Sequence, residues 1–183
     1  MRTAYIGTGA NLPSSAGPPE ATLAAAAVRL AGVGRVVARS SLYSTEPVGY
    51  AEQPRFVNAV LAIETELSAR ALLDALMRVE KEFGRERANA IQNGPRTLDL
   101  DILLFGDCLV DEPGLRIPHP RLAERAFVLE PLNEIAPEAV EPRSGATVEE
   151  LLRKLEPLAA RDAVVRIHSD AWHADAERTD AGR

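Results

Sequence analysis

The order in which strand-like and helix-like stretches follow one another constrains this chain more than any other feature. Thr3 to Thr8 is short, partly β-branched and bounded by Gly9 and Asn11, which predicts a first strand. Glu20 to Leu30 is alanine-rich and predicts a helix, stopped by Gly32 and Gly34. Arg35 to Tyr43 carries Val36, Val37, Leu42 and Tyr43 and reads as a second strand. Arg55 to Thr65 alternates: Val57, Ala59, Leu61 and Ile63 point one way, Phe56, Asn58, Val60 and Ala62 the other. Ser68 then opens a second helix, with Leu67 and Leu72 placed for a hydrophobic staple. Leu72, Leu76, Val79 and Phe83 form its apolar face, and Gly84 ends it. Leu98 to Phe105 alternates again, with Leu98, Leu100, Ile102 and Leu104 opposite Asp99 and Asp101.

The order is β-α-β-β-α-β. It predicts an α/β (α+β) fold with a ferredoxin-like core, an antiparallel sheet whose helices pack on one face. After it come a turn-rich stretch, Gly106 to Pro120, and a short helix, Phe127 to Ile135. A last helix opens on the capping box Thr147-Val148-Glu149-Glu150 and carries Leu151, Leu152, Leu155 and Leu158. Val164 to Ile167 could add a strand, and from Ser169 the polar sequence around Trp172 reads as a frayed tail. The expected organisation is one domain over residues 1–160 and a partly disordered extension over 161–183.

The length, 183 residues, suffices for a core without disulfide staples, and Cys108 is the one cysteine. The net charge of −6 argues against sequence-independent nucleic-acid binding. The apolar stretch Ala21 to Val33 is interrupted by Arg29 and is too short to span a membrane, and the N-terminus shows no signal peptide. A cytoplasmic protein is expected.

The chemistry concentrates in Gly94-Pro95-Arg96-Thr97-Leu98-Asp99-Leu100-Asp101. On a strand, Asp99 and Asp101 project from one face. Two carboxylates so close repel unless a cation lies between them, and Mg²⁺ takes such hard oxygen ligands together with water and phosphate. The pair therefore suggests a Mg²⁺–nucleotide site. It also occurs in polymerase palm and nucleotide-cyclase domains, so it names no reaction. Arg85, Arg87, Arg96, Arg121 and Arg125 lie in loops, and guanidinium forks suit phosphate oxygens. His119 sits between two prolines, placed either to donate to a phosphate or to close a turn. Phe56 and Asn58 share a strand face, an arrangement that suits a flat heterocycle, although a strand phenylalanine is more often core. Gly7-Thr8-Gly9-Ala10-Asn11 lacks the third glycine and the helix start of a dinucleotide loop.

These blocks, with Ile117-Pro118-His119-Pro120-Arg121, Arg125-Ala126-Phe127 and Pro131-Leu132-Asn133-Glu134-Ile135-Ala136-Pro137, resemble the 6-hydroxymethyl-7,8-dihydropterin pyrophosphokinase family of folate biosynthesis from about Thr3 to about Leu158. The resemblance implies an ATP- and Mg²⁺-dependent transfer of pyrophosphate to the pterin hydroxymethyl oxygen, releasing AMP; a monomer working on small molecules is expected. It implies mobile loops at Pro13–Pro19, Ser44–Gln53 and Arg85–Pro95. It implies that Asp99 and Asp101 hold two Mg²⁺ ions and that Arg85 and Arg96 act with them in catalysis. Glu80, Arg87, Ile102, His119 and Arg125 would hold ATP, Glu80 through the ribose and Ile102 at the adenine. Thr45, Val48, Phe56, Asn58 and Phe127 would form the pterin slot. The chain departs from the pattern at Asn93, where some members carry a tryptophan, and at Pro120, which replaces an aromatic.

Overall fold

The computed structural model describes residues 1–49, 52–86, 93–159 and 164–173. Strand β1 (Arg2–Ala10) leads to helix α1 (Pro19–Leu30), then to β2 (Arg35–Arg39), β3 (Leu42–Thr45), β4 (Phe56–Thr65), α2 (Ala69–Glu82) and β5 (Asp99–Phe105). A hairpin of β6 (Val110–Glu112) and β7 (Leu115–Ile117) follows, then a 3₁₀ turn at Leu122–Glu124. Helices α3 (Ala126–Ile135) and α4 (Val148–Ala159) and strand β8 (Val165–Ile167) complete the described elements. The main sheet runs β5-β1-β4-β3-β8, with β2 also paired to β4, and its pairings are antiparallel. This is the ferredoxin-like arrangement the element order predicts.

The predicted second strand is interrupted. Arg39 pairs with Leu61 and Tyr43 with Asn58, so three residues, 40 to 42, oppose two. Ser40 replaces the missing ladder bonds: its N–H donates to Val60 O at 2.9 Å and its Oγ accepts the Val60 N–H at 2.9 Å. Helix α2 starts where the sequence places it, with the Ser68 side chain accepting the Ala71 N–H. Leu67 remains exposed, so the apolar half of the expected staple faces solvent. The capping box holds: Thr147 N–H donates to Glu150, and Glu150 N–H donates to Thr147 Oγ1.

The sheet has two apolar faces, each covered differently. On one, Ile6, Leu61, Ile63, Leu98 and Leu100 pack under α1 and α2 with Leu23, Leu30, Leu72 and Leu76. Each of these leucines contributes about 2 kcal/mol by leaving water. On the other, Val60, Leu103 and Leu104 pack under α3 and α4 with Leu129, Leu132, Val148 and Leu152. Helices thus cover both faces, not one, because this second face is also apolar. The alternation in β5 breaks at the same place. Tyr5 pairs with Leu104 and Ile6 with Ile102, so Leu103 is an extra, bulged residue. Leu104 consequently joins Leu103 on the α3/α4 face, not Leu100 and Ile102 as strict alternation requires.

The strand expected over Val164 to Ile167 is present, and in the stretch from Ser169 expected to fray, Trp172 is buried, while residues 174–183 lie outside the described residues. Strand β8 extends the sheet beside β3, and Trp172 is 1% exposed. Among the described residues no helix is long and apolar enough to cross a membrane.

Candidate active site

Helices α3 and α4 cover only half of their face of the sheet. On the other half lie the outward residues of three neighbouring strands, and the middle strand contributes two glycines. Gly9 pairs with Asp99 on one side and Asn58 on the other; Gly7 pairs with Asp101 and Val60. The centre is therefore bare backbone, flanked by carboxylates and an amide. An ideal Cβ at Gly9 would meet Asn58 Oδ1 at 2.7 Å, and one at Gly7 would meet Leu103 Cδ2 at 3.2 Å. The sequence excludes a dinucleotide loop at these glycines and assigns them no place in the site. Two glycines at i and i+2 inside a strand were the available signal that something approaches the backbone closely.

Asp99 is held by two arginines, one on each oxygen. Arg85 Nη1 lies 3.0 Å from Oδ1 and Arg96 Nη1 2.7 Å from Oδ2. All three side chains are largely buried. Arg96 is fixed further by its backbone, which accepts from the Asn11 and Leu12 N–H groups and donates to Asn11 Oδ1. Its guanidinium also lies 5.6 Å from the Phe56 ring centre. Asp101 lines the same cleft, two residues along the strand. Among the described residues no cluster of three or more His, Cys, Asp or Glu side chains is placed to hold a metal. The two aspartates would thus supply hard oxygen donors and leave the remaining positions to water and phosphate, a set that fits a hard divalent cation.

His119 follows the cis Ile117–Pro118 bond. Its N–H donates to the carbonyl of the bulged Leu103 at 2.9 Å. Its Nδ1 accepts the Arg121 N–H at 3.1 Å, which leaves the ring proton on Nε2, 3.9 Å from Asp101. Burial, reinforced by Arg125, pushes the imidazole down to about 4. It is therefore a neutral N–H donor at pH 7, and its approach to Asp101 is not an ion pair there. Arg125 precedes α3 and lies 5.4 Å from the centre of the Phe127 ring.

Across the cleft, Asn58 Nδ2 donates to Thr45 Oγ1 at 2.7 Å, joining β4 to β3. Val48 is 40% exposed and lines the rim. The rim is tied to the end of β1. Asn11 Nδ2 donates to Gln53 Oε1 and Pro54 O, both at 3.0 Å, and Gln53 Nε2 donates to Asn93 O at 2.8 Å. Neither Asn11 nor Gln53 was among the residues expected to matter for the site.

One cleft therefore brings together Arg96, Asp99, Asp101, His119 and Arg125 with Thr45, Val48, Phe56, Asn58 and Phe127. Arg85 stands behind Asp99. Two expected ATP contacts are not in this cleft. Glu80 is 1% exposed and its Oε1 accepts the Leu100 N–H at 2.8 Å, so it fastens β5 to α2. Ile102 is buried on the opposite side of β5, at the margin of a second depression with Leu73, Leu115 and Pro120 that shares Asp101 and His119. Arg87 lies outside the described residues.

The sequence profile of the 7,8-dihydro-6-hydroxymethylpterin-pyrophosphokinase (HPPK) family matches residues 5–137. The chain belongs to that family. Among HPPK relatives, the 2-amino-4-hydroxy-6-hydroxymethyldihydropteridine pyrophosphokinase of Pseudomonas aeruginosa is 49% identical over 140 residues, 75% of this chain and 83% of its own. That of Methylorubrum extorquens is 43% identical over 159 residues, 86% of this chain and 96% of its own. The fold matches the crystal structure of wild-type Plasmodium falciparum HPPK-DHPS with a TM-score of 0.67 at 15% identity, over 87% of this chain and 46% of that longer one. The HPPK match ends at residue 137, within the turn that follows α3, so α4 and β8 lie beyond it.

Proposed function

We propose that the cleft beside Gly7 and Gly9 is where this chain transfers pyrophosphate from ATP to the hydroxymethyl oxygen of 6-hydroxymethyl-7,8-dihydropterin, releasing AMP. The observation that carries the reading is the pairing of Asp99 and Asp101 with Asn58 across two glycines on one open half-face of the sheet. Carboxylates for a metal–phosphate group and an amide for a heterocycle edge lie side by side.

The pterin would lie against the backbone of β1, its ring between Phe56 and Phe127 and its edge read by Asn58 and the Thr45 and Val48 backbone. Both rings face arginines in the free chain, Arg96 and Arg125. Those guanidiniums would turn to the triphosphate. The hydroxymethyl oxygen attacks the β-phosphorus and loses its proton to water, and the bond from that phosphorus to the α-phosphate oxygen breaks, its electron pair leaving on AMP. Arg85, Arg96 and Arg125 would offset charge on the phosphate oxygens, and neutral His119 would donate from Nε2. Asp99 and Asp101 would hold Mg²⁺, which when bound neutralises the phosphates and orients the leaving group. Holding both substrates in line supplies the proximity term. The adenosine would extend toward the second depression, where Ile102 lies at the margin. Arg87 would add a phosphate contact.

The chain would act as a one-domain monomer in the cytoplasm, without nucleic acid. The test is product identity: AMP formed in step with pterin diphosphate, and absent without pterin, supports the reading, whereas ADP refutes it.

A further inference from the structure

Residues 164–173 lie beyond the family profile, yet they touch both walls of the cleft from behind. Strand β8 pairs with β3, Leu42 opposite Ile167 and Ser44 opposite Val165. The bulge that precedes β3 leaves one ladder group over, the Ser40 carbonyl. Trp172 Nε1 donates to it at 2.9 Å, across 132 residues of sequence. Arg39 secures the indole from the other side, its guanidinium 5.2 Å from the ring centre and its Nη1 bonded to Trp172 O. The break between β2 and β3 is thereby fixed, and β3 ends at Thr45, which accepts from Asn58.

The second wall is reached through Arg166. Its Nε donates to Ser41 Oγ at 2.6 Å and its Nη2 to Glu134. Glu134 belongs to α3, whose first turn carries Phe127. It also accepts the Ser41 N–H, the Ser41 hydroxyl and the Tyr43 hydroxyl. Burial alone would raise its carboxyl; these donors and Arg166 outweigh burial and hold it below the usual range. One carboxylate on α3 is thus bound to two residues next to or within β3 and to one on β8.

We propose that residues 164–173 are a brace that sets the distance between β3 and α3, and that Trp172 and Arg166 are positioning residues for pterin binding. The inference rests on Asn58, Thr45 and Phe127 forming the pterin slot. Arg166 is 63% exposed, so its ion pair adds little to stability. Its effect is on geometry.

The test uses Arg166→Ala and Trp172→Phe in the full chain, the second keeping an aromatic ring and losing the N–H donor. Melting temperature, kcat and KM for each substrate are measured. The expected result is a pterin KM raised about fivefold in each variant, the scale of one lost charge-assisted or buried hydrogen bond. ATP KM and kcat stay within about twofold and Arg166→Ala melts with the wild type. An unchanged pterin KM in both variants overturns the proposal, and so does a parallel loss in both KM values, which marks a merely structural segment. Asn58→Ala separates the two levels. If it leaves pterin KM unchanged, the slot assignment fails; if it raises pterin KM while Arg166→Ala and Trp172→Phe do not, only the brace fails.

Discussion

Gly9→Ala isolates the bare floor of the cleft. Gly9 does not adopt positive φ, so alanine meets no backbone penalty and the whole effect comes from one methyl group. That methyl carbon would lie 2.7 Å from Asn58 Oδ1, where ordinary contact begins at 3.4 Å, so the amide must retreat by 3.4 − 2.7 = 0.7 Å. Asn58 is 8% exposed and bonded to Thr45 at 2.7 Å, so the retreat strains that bond and narrows the space beside it. Overpacking of this kind costs about 1–3 kcal/mol. Drawn from pterin binding, this is a rise in Kd of about 5- to 150-fold. Calorimetric titration with pterin in the presence of a non-hydrolysable ATP analogue reads it, and nucleotide affinity serves as the internal control. Gly7→Ala is the companion, because its methyl meets only the flexible end of Leu103 at 3.2 Å and the loss should be smaller. A Gly9→Ala protein that melts normally and binds pterin within twofold of wild type refutes the reasoning.

Asp99→Asn and Asp101→Asn should each cut AMP release by at least about a hundredfold, with circular dichroism unchanged. Activity above a tenth of wild type in both would sink the metal assignment. Chelation should stop turnover and added Mg²⁺ restore it. The His119 imidazole sits at about 4 in the folded chain against 6.5 in a model peptide, so protonation favours unfolding. Its contribution to stability is full above pH 6.5 and is lost as pH falls toward about 4, and His119→Gln should flatten the melting-temperature profile over that window. Asn11→Ala removes the bonds to Gln53, Pro54 and the Arg96 N–H. It should lower kcat more than it raises ATP KM, because Arg96 loses its anchor; the opposite split would count against the tie.

Much of this was readable from the chain. Strand β4 was legible because both of its faces are buried, which makes Val57 to Ile63 an almost unbroken apolar run, and the two aspartates of β5 were legible because acidic residues are rare on strands. The unread parts depend on partners distant in sequence. Leu104 changes face because pairing with β1 creates a bulge that no local pattern encodes. The hairpin β6–β7 has three residues per strand, too few to show a period. Trp172 sits in polar sequence, and its burial follows from the distant core it joins and the Ser40 carbonyl it meets, neither of which is visible locally. Glu80 looks like any polar helix residue until the Leu100 N–H is brought against it. The glycine floor was visible as residues but not as a surface, since its meaning lies in what flanks it on two other strands.

The bulge at Leu103 also bears on how this sequence can drift. The strand before it and the strand after it are half a period out of step, so Asp101 and Leu104 share a face although they stand three positions apart. Loss of Leu103 would restore the regular ladder and leave Leu104 and Phe105 on their present faces. It would, however, remove the Leu103 side chain from beneath α3 and α4 and the carbonyl that seats His119. Next to β5, length changes are therefore borne by the turn at Gly106 or the tip of the β6–β7 hairpin, where an added residue carries no side chain across the sheet.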